Sequence, residues 1–168
     1  MDVLEVIKTR RSIRRYTGDL IPEEDINKIL EAGRWAPSAD NSQPWKFVVL
    51  RSLEMRKKLA GTLPWGGFLS QAALGIAVVI DETVSTHAAE DGAAATQNML
   101  LEAHSLGLGA CWIGTYGSAH EASAKKVLKV PGDKRLLSVI AIGYPAETAH
   151  NTRKPLAELV FTDEYGRR

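Results

Sequence analysis

Cysteine is scarce in this sequence, and that scarcity excludes several kinds of site. Cys111 is the only cysteine among 168 residues, so no disulfide forms within the chain. A multi-cysteine zinc or iron–sulfur centre is excluded for the same reason. Cys111 lies in the apolar run 110–113, where a buried and inert thiol is expected. The four histidines are not paired at the spacing of metal ligands, so no metal site is predicted.

The sequence also lacks a dominant charge and a long apolar run. Lys and Arg number 21 and Asp and Glu number 20, so the formal charge of +1 gives no general attraction to nucleic acid or membranes. The most apolar run, 72–80, is too short to cross a bilayer. Residues 1–5 lack the basic start and the apolar stretch of a signal peptide. We therefore expect a cytoplasmic protein with no nucleic-acid or membrane partner.

Three common catalytic or phosphate-binding motifs are missing. No Gly-x-Gly-x-x-Gly lies between a strand and a helix, and there is no Gly-x-x-x-x-Gly-Lys loop. The Gly-x-Ser-x-Gly turn of many hydrolases is missing too. A cofactor that carries a phosphate would have to be bound in another way.

Helical and strand patterns alternate along the chain. The spacing of apolar residues predicts strands over 46–50, 73–80, 110–114 and 136–143. Helices are predicted over 3–9, from Pro22 to a glycine at 33 that ends or interrupts it, from a cap at Ser52 through Leu59, and over 88–106 and 119–129. The length suits one domain, residues 1–168. The alternation predicts a mixed α/β, or α+β, architecture with helices on both faces of a central sheet.

A basic segment near the N-terminus is the sharpest local feature. Arg10, Arg11, Arg14 and Arg15 crowd four guanidinium groups into six positions, which is unfavourable unless a negative group offsets them. In extended backbone, positions 10, 12 and 14 point to one side. Two arginines and Ser12 would then converge on one anion, and arginine forks match the geometry of phosphate.

Two other interpretations of the basic segment remain open. It would be a solvated surface run if acidic neighbours such as Glu23 or Glu24 pair with it. It would be a nucleic-acid patch in the third interpretation, which the near-neutral charge and the lack of interleaved aromatics disfavour.

Three further segments offer ligand contacts, each with a plainer alternative. The loop 37–45 is bracketed by prolines and offers small, amide and hydroxyl side chains, or it is a simple connector. Gly114 ends a strand and would let the backbone approach a planar ligand, or it marks an ordinary turn. Arg153 and Lys154 would reach a phosphate, or they belong to a solvated tail.

Taken in order, these motifs resemble the nitroreductase family. The matching elements are Arg10 to Tyr16, Ala36-Pro37-Ser38, Asn41 to Trp45, Gln97-Asn98-Met99, Gly107 to Gly114, and Arg153 to Leu156. The resemblance covers nearly the whole chain. It implies a mainly antiparallel or mixed sheet flanked by helices, an intimate homodimer, and FMN bound at the dimer interface.

The resemblance also assigns contacts to the cofactor. It implies that Arg10, Ser12 and Arg14 bind the phosphate and ribityl chain, with Arg153 approaching from the C-terminal side. Arg11 is counted among the cofactor-binding candidates, although the alternation turns it toward neighbours or solvent. Ile113, Gly114 and Thr115 are expected along the flavin ring near its reactive N5 edge. The partner subunit is expected to supply Pro37, Ser38, Ala39 and Asn41. No residue is assigned as a catalytic acid or base.

The implied reaction passes hydride or electrons from NADH or NADPH to nitroaromatics, quinones or similar small acceptors. A specialised branch, such as reductive dehalogenation or flavin breakdown, is the nearer alternative, and a non-enzymatic phosphate- or nucleic-acid-binding module is the more distant one. Larger members carry a helical insertion over the substrate pocket, where this chain has only residues 81–89. The pocket is therefore open, or it is covered by segments 64–68 and 115–120.

Overall fold

The computed structural model describes residues 2–167, and the predicted helices and strands are present with ends shifted by at most two residues. The α-helices in this range are α1 (Val3–Thr9), α2 (Glu23–Arg34), α3 (Leu53–Ala60), α4 (Ala88–Ser105) and α5 (Glu121–Leu128). The strands are β1 (Trp45–Leu50), β2 (Leu74–Ile80), β3 (Gly109–Gly114) and β4 (Arg135–Gly143). Short 3-10 turns occupy 39–41, 67–70 and 156–158. None of the helices within 2–167 is both long and apolar enough to cross a bilayer.

The four strands form one antiparallel sheet in the order β1-β2-β4-β3. The predicted mainly antiparallel sheet is thereby confirmed. β1 and β3 lie at opposite edges, and at β3 the sheet is extended by an isolated parallel bridge between Ser12 and Ala110. The start of β1 and the end of β3 lie at the same end of the sheet, since Trp45 pairs with Ile80 and Gly114 pairs with Ser138.

Helices cover both faces of the sheet, as predicted. On one face α4 packs against the strands and α2 packs on α4, and their apolar side chains form one core cluster. On the other face α3 and α5 enclose a second cluster. All seven residues of β2 are buried, which explains why its sequence is apolar at every position rather than at alternate ones.

Two helix signals in the sequence have a different role from the one predicted. Pro22 precedes α2 as its N-cap residue instead of lying in the first turn. Gly33 does not end α2, which continues to Arg34. A Cβ atom at Gly33 would lie 2.9 Å from Met99 and 3.0 Å from Phe47. The glycine is therefore required because α2 and α4 approach closely at this point.

Candidate functional site

The basic segment runs alongside β3 in extended conformation. Ser12 bridges to Ala110, and the Ile13 N–H donates to the carbonyl of Ala110 at 3.0 Å. The Ile13 side chain is buried against Gly109, where a Cβ atom would come within 2.8 Å of it. Because Ile13 points inward, its neighbours along the segment are turned to the other side.

The buried thiol of Cys111 lies in the strand next to the basic segment. Burial raises the pKa of Cys111, against the opposing effects of the Arg14 charge, the Ser12 hydroxyl and the Arg10 charge. That the side chains of Arg10, Ser12 and Arg14 share one side of the segment stays a prediction from the alternation of extended backbone. Cys111 itself is 2% exposed, in agreement with the buried thiol predicted for it.

Arg153 of the C-terminal tail adds a further positive charge near Arg10. We call Arg10, Arg14 and Arg153 the cation group. Burial lowers the pKa of the Arg10 guanidinium, and the positive charges of Arg153 and then Arg11 lower it further. Within residues 2–167, no carboxylate lies within 4.0 Å of the guanidinium groups of Arg10, Arg14 and Arg153. The positive charge is therefore uncompensated by any salt bridge there, which suits a phosphate dianion.

The alternative interpretation, in which Glu23 or Glu24 neutralises the basic segment, is wrong. Glu23 accepts two hydrogen bonds from Arg51, both at 2.6 Å. Glu24 pairs with Lys28 at 2.8 Å along the same helix.

Arg11 is engaged by backbone carbonyl groups. Its guanidinium donates to the carbonyl oxygens of Lys8 at 2.6 Å, Arg10 at 2.8 Å and Asn151 at 3.4 Å. These bonds attach the basic segment to the end of α1 and to the start of the C-terminal tail. The structure therefore gives Arg11 a role in holding the segment, and its charge still acts on the neighbouring Arg10.

The far end of the basic segment is fixed by Tyr16 and Glu147. The Glu147 carboxylate accepts from the backbone N–H of Arg14 at 2.5 Å and of Arg15 at 3.2 Å. The Tyr16 hydroxyl donates to the carbonyl of Ala141 at 3.2 Å. Sequence reasoning missed Glu147, because it is 133 residues from Arg14 and follows no recognisable motif.

At the end of β3, Ile113, Gly114 and Thr115 have three different environments. Ile113 is buried in the core, and the Thr115 hydroxyl is buried and donates to the carbonyl of Leu136 at 2.7 Å. Gly114 is exposed, and a Cβ atom built on it would meet nothing within 4 Å. A planar ligand would therefore meet the backbone at Gly114 and not the side chains of its two neighbours.

The turn after β3 is held by the carboxylate of Glu121, which is 6% exposed. It accepts from the N–H of Gly117 at 2.8 Å, from the N–H of Leu136 at 3.1 Å and twice from Arg135, at 2.8 and 2.7 Å. Burial by itself raises the pKa of Glu121, but these hydrogen bonds outweigh it and leave the pKa below its ordinary value. Arg135 also stacks on Tyr116, with the guanidinium carbon 4.4 Å from the ring centre.

The loop 37–45 is attached to α4 through Asp91. Asp91 is buried and accepts from the N–H of Ala39 at 3.1 Å and from the Ser85 hydroxyl at 2.9 Å. Asp40, Asn41 and Gln43 have positive φ angles of 51°, 54° and 47°. Such angles are uncommon outside glycine and fold the loop tightly.

Within one chain, this loop and the cation group lie far apart. The loop leads into β1 at one edge of the sheet, whereas the basic segment lies beyond β3 at the other edge. Three interstrand steps of about 4.8 Å separate these edges by roughly 14 Å, before the segment itself is reached. The structure therefore does not bring the predicted loop residues Pro37, Ser38, Ala39 and Asn41 to Arg10, Ser12 and Arg14.

The two segments expected to cover the pocket touch each other. Trp65 and His120 meet edge to face, with ring centres 5.4 Å apart and an interplanar angle of 87°. In the same loop, Phe68 lies beneath the Arg14 guanidinium, whose carbon is 5.9 Å from the ring centre. The loop therefore extends from the cation group toward the segment that follows β3.

Known proteins are similar to this chain in sequence and in fold. The family model described as "Nitroreductase family" matches residues 7–63 and 62–144. A "Putative NADH dehydrogenase/NAD(P)H nitroreductase" of Methanothermobacter thermautotrophicus is 44% identical over 151 residues, which cover 88% of this chain and 79% of that protein.

Solved structures agree with this match. The FMN-dependent nitroreductase of Clostridium difficile superimposes with a TM-score of 0.90 at 30% identity, over 96% of this chain and 99% of its own. The NADPH:FMN oxidoreductase of Vibrio harveyi, solved with NAD+, superimposes with a TM-score of 0.88 at 26% identity, over 99% of this chain and 79% of its own. The resemblance inferred from the motifs is confirmed, and the chain belongs to the nitroreductase family.

Proposed function

We propose that this chain is a flavoenzyme that oxidises NADH or NADPH and reduces nitroaromatics, quinones or similar acceptors. The observation that carries the proposal is that the basic segment with Arg10 and Arg14 runs alongside β3, the strand that ends at the open backbone of Gly114. The predicted enzyme class and the cofactor pair of FMN and NAD(P)H are confirmed by the relatives, which include an FMN-dependent nitroreductase and an FMN reductase that uses NADPH.

The residues present fit FMN at both of its ends. Arg10, Ser12, Arg14 and Arg153 would hold the phosphate and ribityl chain, because within residues 2–167 no carboxylate forms a salt bridge with the three guanidinium groups. The backbone of Gly114 would accept the edge of the flavin ring. FMN, when bound, supplies the two-electron chemistry between NAD(P)H and the acceptor.

The protein's own contribution is binding and orientation. Glu121 fixes the turn that follows Gly114, so the backbone presented to the ring is pre-formed. Arg10 and Arg14 keep positive charge near the site, which favours negatively charged states of a bound group. No acidic or basic side chain is needed to start the reaction, and we assign none.

A second copy of the chain would complete the site. Val3, Leu4 and Ile7 of α1 are 71%, 54% and 48% exposed, and Trp35 is 72% exposed. Val3 and Trp35 line one groove together with Leu101 of α4, so the apolar residues form a patch of the kind that marks an interface. Trp35 lies two residues before Pro37, so contact through this patch would carry the loop toward the partner's cofactor.

The colour and activity of the purified protein test the proposal. We expect a yellow dimer with flavin absorbance that consumes NADH or NADPH when 1,4-naphthoquinone or a nitroaromatic compound is added. A colourless protein that takes up no added FMN would contradict the proposed function. Uptake of FMN without any acceptor-dependent NAD(P)H consumption would contradict the reaction but not the cofactor.

A further inference from the structure

The aromatic pair Trp65–His120 is not among the residues proposed to hold FMN, and its loop packs against Ile113, the residue before Gly114. We propose that Trp65, oriented by His120, is the surface on which a planar aromatic acceptor stacks. This inference rests on the proposed function and adds the part of the site that recognises the acceptor's ring. Trp65 would touch the substrate, whereas His120 would act as a positioning residue.

Trp65 is exposed although its loop is firmly anchored. The indole residue is 63% exposed, while Leu63 and Leu69 on either side are 2% and 0% exposed. The Gly66 N–H donates to the carbonyl of Leu63, and the Leu69 N–H donates to the carbonyl of Gly66, both at 2.9 Å. The backbone is thus closed into tight turns, and the core does not account for the position of the indole.

The anchored loop places Trp65 near the end of β3. A Cβ atom at Gly66 would lie 3.3 Å from the Ile113 side chain, so the residue after Trp65 packs directly against the residue before Gly114. At the other end of the loop, Phe68 lies beneath Arg14. The loop therefore follows the proposed FMN site from the phosphate end to the ring end, and Trp65 lies at the ring end.

His120 fixes the direction of the indole. The two rings are nearly perpendicular at 87°, a favourable arrangement for aromatic pairs. His120 is itself held at the start of α5, where its N–H donates to the Ser118 hydroxyl at 3.3 Å and its carbonyl accepts from the N–H of Ala124 at 3.1 Å. An oriented indole offers a ligand a stacking surface at a smaller cost in side-chain entropy than a freely rotating one.

The chemistry of the proposed acceptors matches this surface. Quinones and nitroaromatics are planar and electron-poor, and such rings stack in an offset manner on electron-rich aromatic groups. Only residues 81–87 connect β2 to α4 in this chain, so the connection provides no helix within the described residues that would replace Trp65 as a cover. Ferricyanide, in contrast, has no aromatic ring to stack.

The test isolates the step in which the acceptor is reduced. FMN-loaded dimer is reduced with one equivalent of NADH without oxygen and mixed with either 1,4-naphthoquinone or ferricyanide in a stopped-flow instrument. The quinone takes up two electrons and two protons to become the hydroquinone, whereas two ferricyanide ions take one electron each and the protons go to solvent. Because the nicotinamide ring is also planar, reduction by NADH is measured separately.

Substitutions at Trp65 should separate the two acceptors. Trp65→Ala is expected to lower the second-order rate constant for the quinone about five- to tenfold, the scale of one aromatic stacking contact, and to change that for ferricyanide less than twofold. Trp65→Phe should retain most of the quinone rate because it keeps a stacking ring. Leu20→Ala is the control, since Leu20 is 84% exposed and lies outside the site.

Substitutions at His120 test its positioning role. His120→Ala should lower the rate constant for the quinone but not that for ferricyanide, as Trp65→Ala does, because the edge-to-face contact that orients the indole is lost. His120→Phe should restore the rate, because an aromatic edge is present again.

Three outcomes would overturn the inference. In the first, Trp65→Ala binds FMN and consumes NADH normally but keeps the full quinone rate. In the second, the rates for quinone and ferricyanide fall together. In the third, the unsubstituted protein takes up no FMN, and this outcome alone also removes the proposed function.

Discussion

At the scale of single residues, backbone direction decides which arginines share a site. The alternation of extended backbone predicts that Arg10 and Arg14 share the side of Ser12, while the Arg11 guanidinium donates to three backbone carbonyls. Arg15 is exposed, and its backbone N–H is bound by Glu147. Neighbouring residues of identical chemistry therefore have separate roles, and substitutions can distinguish them.

Replacing Arg10 or Arg14 with alanine should weaken FMN binding by about 1.5–3 kcal/mol, the usual contribution of a hydrogen bond to a charged group. The affinity can be measured by titrating the apoprotein with FMN and following the quenching of flavin fluorescence. Arg15→Ala is the matched control and should bind FMN as the unsubstituted protein does. Unchanged affinity in both the Arg10 and the Arg14 variant would refute the phosphate site.

At the scale of elements, a single carboxylate joins α5, β4 and the turn after β3. Glu121 lies at the first position of α5 and accepts hydrogen bonds from Arg135, Leu136 and Gly117. Its pKa in the folded protein is below the ordinary value of 4.5. A group with a lowered folded pKa stabilises the fold above its unfolded pKa, and this stabilisation is lost as the pH falls through the folded pKa.

Glu121→Gln should therefore lower the free energy of unfolding at pH 7, by about 1–3 kcal/mol for the loss of buried charged hydrogen bonds. The difference from the unsubstituted protein should begin to narrow as the pH falls below about 4.5, where the carboxylate of the unfolded chain takes up a proton, and should be lost as the pH falls through the lower folded pKa. Urea unfolding of both proteins at a series of pH values measures this. Glu54→Gln, at an exposed position of α3, is the control, and its free energy of unfolding should match that of the unsubstituted protein. A difference in the free energy of unfolding that stays constant with pH would contradict the electrostatic role of Glu121.

At the scale of the whole molecule, the two halves of the proposed cofactor site lie at opposite edges of one sheet. The cation group lies beyond β3 and the loop 37–45 leads into β1, with β2 and β4 between these strands. The exposed apolar patch of α1 and Trp35 offers a way for two copies to meet. Cofactor binding and assembly should therefore depend on each other.

Trp35→Glu should shift the protein from dimer toward monomer and weaken FMN binding, since it places a charge in an apolar contact. Light scattering after size-exclusion chromatography, at several protein concentrations and with or without FMN, measures both effects. Leu20→Glu introduces the same charge at a residue that is 84% exposed outside the patch, and it should remain dimeric. An unsubstituted protein that is a stable, FMN-loaded monomer would exclude the shared site.

The sequence by itself determined the elements and the family. Apolar spacing depends only on local geometry, so it located each helix and strand to within two residues, including the fully buried β2. The same local rule predicts that Arg10, Ser12 and Arg14 share one side of the segment. The order of the short motifs identified the nitroreductase family, which the relatives confirm.

Only the tertiary structure decided how distant residues meet. Periodicity does not specify which strands pair, so the order β1-β2-β4-β3 and the separation of the loop from the cation group were not predictable. Gly33 resembled a helix end, but it is required by the close approach of α2 and α4. The contacts of Glu147 with Arg14 and of His120 with Trp65 join residues far apart in the chain. Such contacts depend on packing across the whole fold, and no local pattern of residues encodes them.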